Sequence, residues 1–287
     1  MKAADFIFHR ARSVDEAVRY LHHFGGGARI LAGGQSLMPM MNMRLLRPAA
    51  LIDVNSVEAL AAVEVRGADT ALGAIVRYHT IEFSPVIAAR LPLLAAMVRH
   101  VGDRQIRNRG TLGGSLVQGD PAAEMPLACL VLNATMRVVG RSGTRDIAAG
   151  EFYDGAYAAA LEPDEILTEI VFPRPPPHCV FREICRRHND FAVISVAAAG
   201  HRSARGFWSG LRLGLAGADE MPILAPALTA RLEGSLLTDE DIGIALDALP
   251  PLLSPPSDMR ASGEYRAHLI AVHVRRALIE LRDSLPA

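Results

Sequence analysis

Apolar and polar positions along the chain alternate between two kinds of block: a period of two that fits half-buried strands, and a period of three to four that fits one-sided helices. Near the start, Ser13-Val14-Asp15-Glu16 reads as a capping box, with Val14, Val18 and Leu21 following at helical spacing. Gly25-Gly26-Gly27 closes that helix, giving it a length of about ten residues. A short strand over 28–31 then runs directly into Gly33-Gly34, and 51–54 is a second strand.

Further on, 71–76 reads as a strand and 87–101 as a buried helix with Leu91, Leu94, Ala95 and Val98 on one side. Pro92 stands where it would break or bend that helix. After Gly113-Gly114, Asp120-Pro121 fits an N-cap followed by proline in the first helical position, leading into a helix over 125–132. Strands are expected at 136–139 and 166–172.

The run Pro173-Arg174-Pro175-Pro176-Pro177 can neither sustain a helix nor donate to a sheet ladder, so a domain boundary is expected there. Strands at 180–185, 193–199 and 211–215 follow, then helices within 225–232 and 239–249. A last helix over 263–284 places Tyr265, Leu269 and Val272 on one stripe, continued by Leu278 and Leu281. Strands followed by helices make this second unit a small α+β domain. No internal repeat interrupts the pattern.

Composition narrows the class. Half of the 287 residues are hydrophobic and 21% are charged, as in globular proteins. A net charge of −1 offers no electrostatic grip on nucleic acid or an anionic membrane. No apolar run approaches the roughly 18 residues of a membrane span, and the N-terminus lacks a secretory core, so no transmembrane segment and a cytoplasmic location are expected. Cys129, Cys179 and Cys185 form no C-x-x-C pair, which removes a structural zinc site and leaves too few thiolates for an iron–sulfur cluster. No metal ligand set is expected on this chain. His22, His23 and His188 are expected to be solvent-exposed, and Met38, Met40, Met41 and Met43 to pack in the core.

The residues best suited to chemistry are two double-glycine turns, Ala32-Gly33-Gly34-Gln35-Ser36 and Thr111-Leu112-Gly113-Gly114-Ser115. Glycine tolerates positive φ and lets an anion approach main-chain N–H groups without a Cβ in the way. Gln35, Ser36, Thr111 and Ser115 could add side-chain donors. Two such turns suit a diphosphate, although each alone would serve equally as an ordinary strand-end turn. Neither G-x-G-x-x-G after a strand nor a Gly-Lys P-loop is present, which disfavours a Rossmann or P-loop fold. Asp120 and Glu124 could hydrogen-bond polyol hydroxyls or simply favour the start of a helix. Arg104, Arg107 and Arg109 could attract phosphate or form a solvated rim or subunit contact. Asp190-Phe191 lies at a turn between two strands, beside Arg186 and Arg187.

Several of these segments resemble the medium, FAD-binding subunits of the xanthine dehydrogenase and aerobic carbon monoxide dehydrogenase group, the molybdenum hydroxylases. The resemblance rests on Ala32 to Leu37, Gly102-Asp103-Arg104-Gln105-Ile106-Arg107-Asn108, Thr111 to Ser115, Asp120-Pro121-Ala122-Ala123-Glu124, residues 161–170 and Glu264-Tyr265-Arg266-Ala267-His268-Leu269. It implies an α+β architecture: a two-part FAD-binding domain of the PCMH/vanillyl-alcohol-oxidase type over 1–174, divided into about 1–55 and 56–174, then a smaller α+β domain over 178–287.

By the same resemblance, Ala32, Gly33, Gly34, Gln35, Ser36 and Leu37 would hold the flavin diphosphate with Thr111, Gly113, Gly114 and Ser115, and Ile106 would lie close by. Asp120 and Glu124 would approach the ribityl chain, Glu124 where relatives often have Asp. Ile166 and Leu167 would line the flavin pocket, and Phe191 would stand near the isoalloxazine. The implied work is electron transfer through FAD to an external acceptor, with the flavin as redox centre and no catalytic side chain. The molybdenum-pterin cofactor and [2Fe-2S] clusters would sit on a large and a small partner subunit, in a dimer of heterotrimers. A self-contained FAD oxidoreductase and a flavin-free assembly subunit are the alternatives. The holoenzyme's substrate and acceptor are not legible in this chain.

Overall fold

The computed structural model describes residues 2–187 and 189–284. The first helix, Val14–Phe24, begins at Ser13, whose side chain accepts the Glu16 N–H at 3.1 Å. The return bond differs from the expected capping box: the Glu16 carboxylate takes the N–H of Arg12, one residue before the cap, at 2.7 Å. Helix Val14–Phe24 lies over a parallel three-stranded sheet ordered Ile7–Arg10, Ala50–Asp53, Ala28–Leu31. Ala17, Val18 and Leu21 pack with Ala28, Ala50 and Ile52 as one small core.

The next sheet has five antiparallel strands, in the order Val63–Arg66, Asp69–Gly73, Ile166–Phe172, Thr135–Gly140, Gly143–Ala148. The expected strand over 71–76 therefore stops at Gly73, where a Cβ would lie 2.1 Å from the Leu60 carbonyl and the chain leaves the ladder. The helix expected over 87–101 is divided at Leu91 into Pro85–Arg90 and Pro92–Met97, since the Pro92 ring cannot follow a helical residue without strain. Both pieces bury apolar faces in the largest core, with Leu116, Leu127, Ile170 and Phe172.

A third sheet is antiparallel, ordered His178–Cys185, Ala192–Arg202, Trp208–Ala216, Ile223–Leu224. From Ala192 to Gly200 every residue of its second strand is buried, because both faces are covered. Ile194, Val196 and Ala198 join the core beneath the C-terminal helices, whereas Ala197 and Ala199 join the large core of the five-stranded sheet. The small side chains on that second face admit helix Glu124–Val131. Gly214 serves the same end, as a Cβ there would stand 2.5 Å from Val131 Cγ2 and 2.7 Å from Leu127 Cδ1. Arg212 then caps the helix, donating to the carbonyls of Leu130 and Val131 at 2.8 Å each.

Helices Pro226–Leu232, Asp239–Leu246 and Gly263–Asp283 follow the expected order. The last presents a different face from the one expected: Tyr265 is 52% exposed, while Arg266, Ile270, His273, Val274 and Ala277 are buried with Leu278 and Leu281. The stripe is displaced because Arg266 is drawn inward by an ion pair with Asp258, at 2.8 Å. The methionine cluster is only partly core, since Met41 is buried, Met38 and Met40 are half-buried and Met43 is 52% exposed. His22 and His23 are exposed, and His188 lies outside the described residues.

Candidate functional site

The two glycine pairs, 80 residues apart in the chain, are brought close together. Gly33 packs directly on the main chain before the second segment: a Cβ on it would lie 2.4 Å from the Arg109 carbonyl oxygen and 3.0 Å from Gly110 Cα. Gly34 adopts φ +73°, which turns the chain into the short helix Leu37–Asn42.

The carbonyls of this first turn are already engaged. Asn55 Nδ2 donates to Ala32 O at 3.0 Å and to Leu31 O at 3.3 Å, and Gln35 Nε2 donates to Gly33 O at 3.0 Å. Its donors are not: among the described residues no protein acceptor takes the N–H groups of Gly33, Gly34, Gln35, Ser36 or Leu37. Gly33, Gly34 and Gln35 line a cleft of about 460 Å³ shared with Phe8, Met38, Asn42, Asp53, Asn55 and Arg109. Unsatisfied N–H donors beside an arginine make one wall of that cleft suited to an anion.

The cleft's floor is braced by charge. Burial pushes the Asp53 carboxyl upward, but hydrogen bonds from Asn55 and the nearby Arg10 outweigh it and hold the group below its ordinary value. Asn55 Nδ2 lies 2.6 Å from Asp53 Oδ1, and Arg10 Nε 3.2 Å from Oδ2. Arg77 closes the link, with one nitrogen donating to the Asn55 side-chain carbonyl and another to the Arg109 main-chain carbonyl. Asn55 and Arg77 thus tie the first glycine turn to the second segment.

That second segment is a helix start rather than a free turn. Helix Leu112–Gln118 is N-capped by Thr111, whose hydroxyl accepts the Gly114 N–H at 3.2 Å. The N–H groups of Leu112 and Gly113 are spent on Val76 O at 3.0 Å and Ala74 O at 2.8 Å. The expectation of a second open cradle of N–H groups is therefore corrected, because the main chain pairs with 74–76 instead. Its glycines serve packing: a Cβ on Gly113 would meet Ala74 at 2.6 Å, and one on Gly114 the Thr111 hydroxyl at 2.6 Å. Ser115 lies against the Tyr78 phenol, whose pKa burial raises strongly.

The remaining expected residues divide. Ile106 is 37% exposed on helix Arg104–Arg109 and covers Gly102, while Arg107 of the same helix is bound to Glu82 at 2.8 Å. Ile166 and Leu167 are both buried, but as neighbours on one strand they enter different cores, Ile166 that of the parallel sheet and Leu167 the large one. They therefore do not line a common wall. Asp120 is not the N-cap of the following helix: it takes the Ala122 N–H at 2.9 Å in a tight turn, and helix Glu124–Val131 starts after Ala123. Pro121 belongs to that turn.

Glu124 and Phe191 have different surroundings. The Glu124 carboxyl is pushed up to about 8, first by burial and then by the charge of Glu183. Glu183 has only 3% of its side chain exposed; it accepts from Cys185 Sγ at 3.0 Å and from Ser195 Oγ at 3.3 Å. Phe191, 53% exposed, immediately precedes strand Ala192–Arg202 and carries the Arg260 guanidinium 4.6 Å above its ring.

Asn55, Arg77 and Arg260 were not singled out by sequence reasoning. The only sequence signal at Asn55 is its position just past a strand end beside the glycine turn; Arg77 and Arg260 reach their partners through long-range contacts that no local pattern encodes.

Comparison with known proteins agrees over the whole length. Residues 4–175 match the family described as "FAD binding domain in molybdopterin dehydrogenase", and residues 179–281 that of the "CO dehydrogenase flavoprotein C-terminal domain". The nicotine 6-hydroxylase medium subunit of Paenarthrobacter nicotinovorans is 39% identical, covering 88% of this chain and 89% of its own. The carbon monoxide dehydrogenase medium chain of Afipia carboxidovorans is 34% identical over 97% of both chains. Among solved structures, reconstituted CO dehydrogenase from Oligotropha carboxidovorans superposes with a TM-score of 0.95 at 33% identity, over 98% of this chain and 99% of that one. Among the described residues no helix is long and apolar enough to cross a membrane.

Proposed function

Given that the chain belongs to the family of FAD-binding domains in molybdopterin dehydrogenases, with the CO dehydrogenase flavoprotein C-terminal domain behind it, we propose that it is the electron-transferring flavin subunit of a molybdenum hydroxylase. It is an oxidoreductase subunit, as its relatives are dehydrogenase and hydroxylase medium subunits. The observation that carries the cofactor assignment is the first glycine turn, where carbonyls are tied down and, among the described residues, N–H groups are left without acceptors beside Arg109.

The residues fit FAD in these terms. The N–H groups of Gly33 to Leu37 would hold the diphosphate, with Ser36 and Gln35 at the rim; Thr111, Gly113, Gly114 and Ser115 would buttress that turn from behind. Asp120 and Glu124 would meet the polyol chain, and Phe191 the ring. Bound FAD supplies the redox centre that passes electrons to an external acceptor. The chain's own part is to bind the cofactor, to orient it and to set the charge around it.

Its electrons would come from [2Fe-2S] clusters on a small partner subunit, after substrate oxidation at a molybdenum-pterin site on a large one, in a dimer of heterotrimers in the cytoplasm. The division proposed for the chain is 1–174 for flavin binding, in parts of about 1–55 and 56–174, and 178–287 for the C-terminal α+β domain. The test is purification of the chain with its neighbouring gene products. About one FAD per copy of this chain, and substrate-dependent flavin bleaching only when all three subunits are present, is the expected result. Turnover by the isolated chain, or a complete complex without flavin absorbance, would overturn it.

A further inference from the structure

The loop that precedes the last helix is built to present one arginine. Arg266, 4% exposed, holds Asp258 Oδ2 at 2.8 Å and donates from its other terminal nitrogen to the Val193 carbonyl. Asp258 in turn accepts the N–H groups of Arg260 at 2.8 Å and Ala261 at 3.0 Å through Oδ1, and its own N–H reaches Ala261 O at 3.0 Å. A chain of bonds from a buried guanidinium thus fixes the main chain at Arg260.

The Arg260 side chain is placed where two parts of the proposed flavin site converge. On one side it stacks on Phe191, whose N–H is held by Asp190 at 2.9 Å. On the other its charge reaches the phenol of Tyr157, which neighbours Asp120; Tyr157 N–H is anchored to Gly119 O at 2.8 Å. Arg187 and Arg266 make ion pairs with Asp190 and Asp258, at 3.1 and 2.8 Å; Arg260 has no carboxylate at ion-pair distance among the described residues and stacks on the ring face, while its charge also reaches the Asp190 carboxylate.

We propose that Arg260 is a positioning residue of the flavin site, a cation held at the isoalloxazine end so that the reduced ring is bound in preference to the oxidised one. This rests on the FAD reading above. Two electrons and one proton convert neutral oxidised flavin to a reduced ring carrying one negative charge, so a fixed cation beside it stabilises the product of reduction more than the reactant.

The test compares R260Q and R260K in the full-length chain, reading FAD content by absorbance and the flavin midpoint potential by spectroelectrochemical titration. R260Q is expected to bind reduced FAD about tenfold less well relative to oxidised FAD, a fall of about 30 mV for a two-electron couple. R260K, which keeps the charge, should stay close to wild type. If flavin is lost in R260Q but kept in R260K, the need for the cation is also supported. Equal behaviour of the two variants, whether both unchanged or both impaired, overturns the proposal. A wild-type chain and complex that hold no flavin overturn the proposed function and this inference with it, whereas flavin-loaded protein with matching variants overturns the inference alone.

Discussion

The α-carbon of Gly33 rests on the carbonyl oxygen of Arg109, and a side chain there would have to occupy a point 2.4 Å from that oxygen. The contact joins the two glycine segments through main chain alone, which cannot yield as a flexible side chain would. Replacing Gly33 with Val should force the turn away from Arg109 and Gly110, costing about 1–3 kcal/mol of stability by overpacking. FAD absorbance in the purified protein should be lost, while the strands and helices beyond 178 keep their far-ultraviolet signal. Normal flavin content in G33V would remove the first turn from the site.

Asn55 is a cheaper probe of the same junction. Its amide braces the Ala32 carbonyl at 3.0 Å and its carbonyl receives Arg77, yet the residue itself is exposed. N55A should therefore cost no more than about 1 kcal/mol in urea unfolding. FAD affinity should nevertheless fall several-fold, since the turn would lose the bond that fixes its carbonyls away from the cleft. Isothermal titration of the stripped protein with FAD measures this; unchanged affinity would mean that the bridge is only structural.

Much of this was legible in the sequence, and the exceptions share a physical cause. Strand Ile166–Phe172, helix Val14–Phe24 and the break at Pro92 follow from local periodicity and backbone chemistry, which neighbours along the chain decide. Gly113-Gly114 reads as a turn because glycine is a poor helix former, but Thr111 and pairing with Ala74 and Val76 override that propensity. In the last helix the sequence pattern treats Arg266 as polar and outward, whereas Asp258 and Val193 draw it inside. Both glycine segments could be picked out from sequence; that only the first keeps its donors free depends on contacts some 40 residues away in the chain, between 74–76 and 112–113.

Helix Glu124–Val131 is held against the third sheet by Arg212 and by the missing side chain of Gly214. R212A would leave the Leu130 and Val131 carbonyls without their charged donor, at a cost of about 1.5–3 kcal/mol. Because this helix begins with Glu124, one of the two residues proposed to meet the polyol chain, the same substitution should also weaken FAD binding. G214L should do more damage, as its side chain would collide with Leu127 and Val131. Chemical denaturation of both variants orders them, and an R212A protein as stable as wild type would show the cap to be dispensable.

Glu124 gives the chain a pH dependence of definite sign. Burial, then repulsion from Glu183, pushes its folded-state value up to about 8, against 4.5 for an ordinary Glu. The folded state thus binds the proton that the unfolded state has released, and stability contributed by this group is full below about 4.5 and lost as pH rises to about 8. At about 1.4 kcal/mol for each unit traversed, wild-type FAD-free protein should lose a few kcal/mol across that window from this residue. E124Q, neutral throughout, should show a flatter profile and exceed wild type in stability at alkaline pH. Urea midpoints collected from pH 5 to pH 9 decide it: parallel curves for the two proteins would mean that Glu124 is ionised in the folded chain and balanced by a charge other than those placed here.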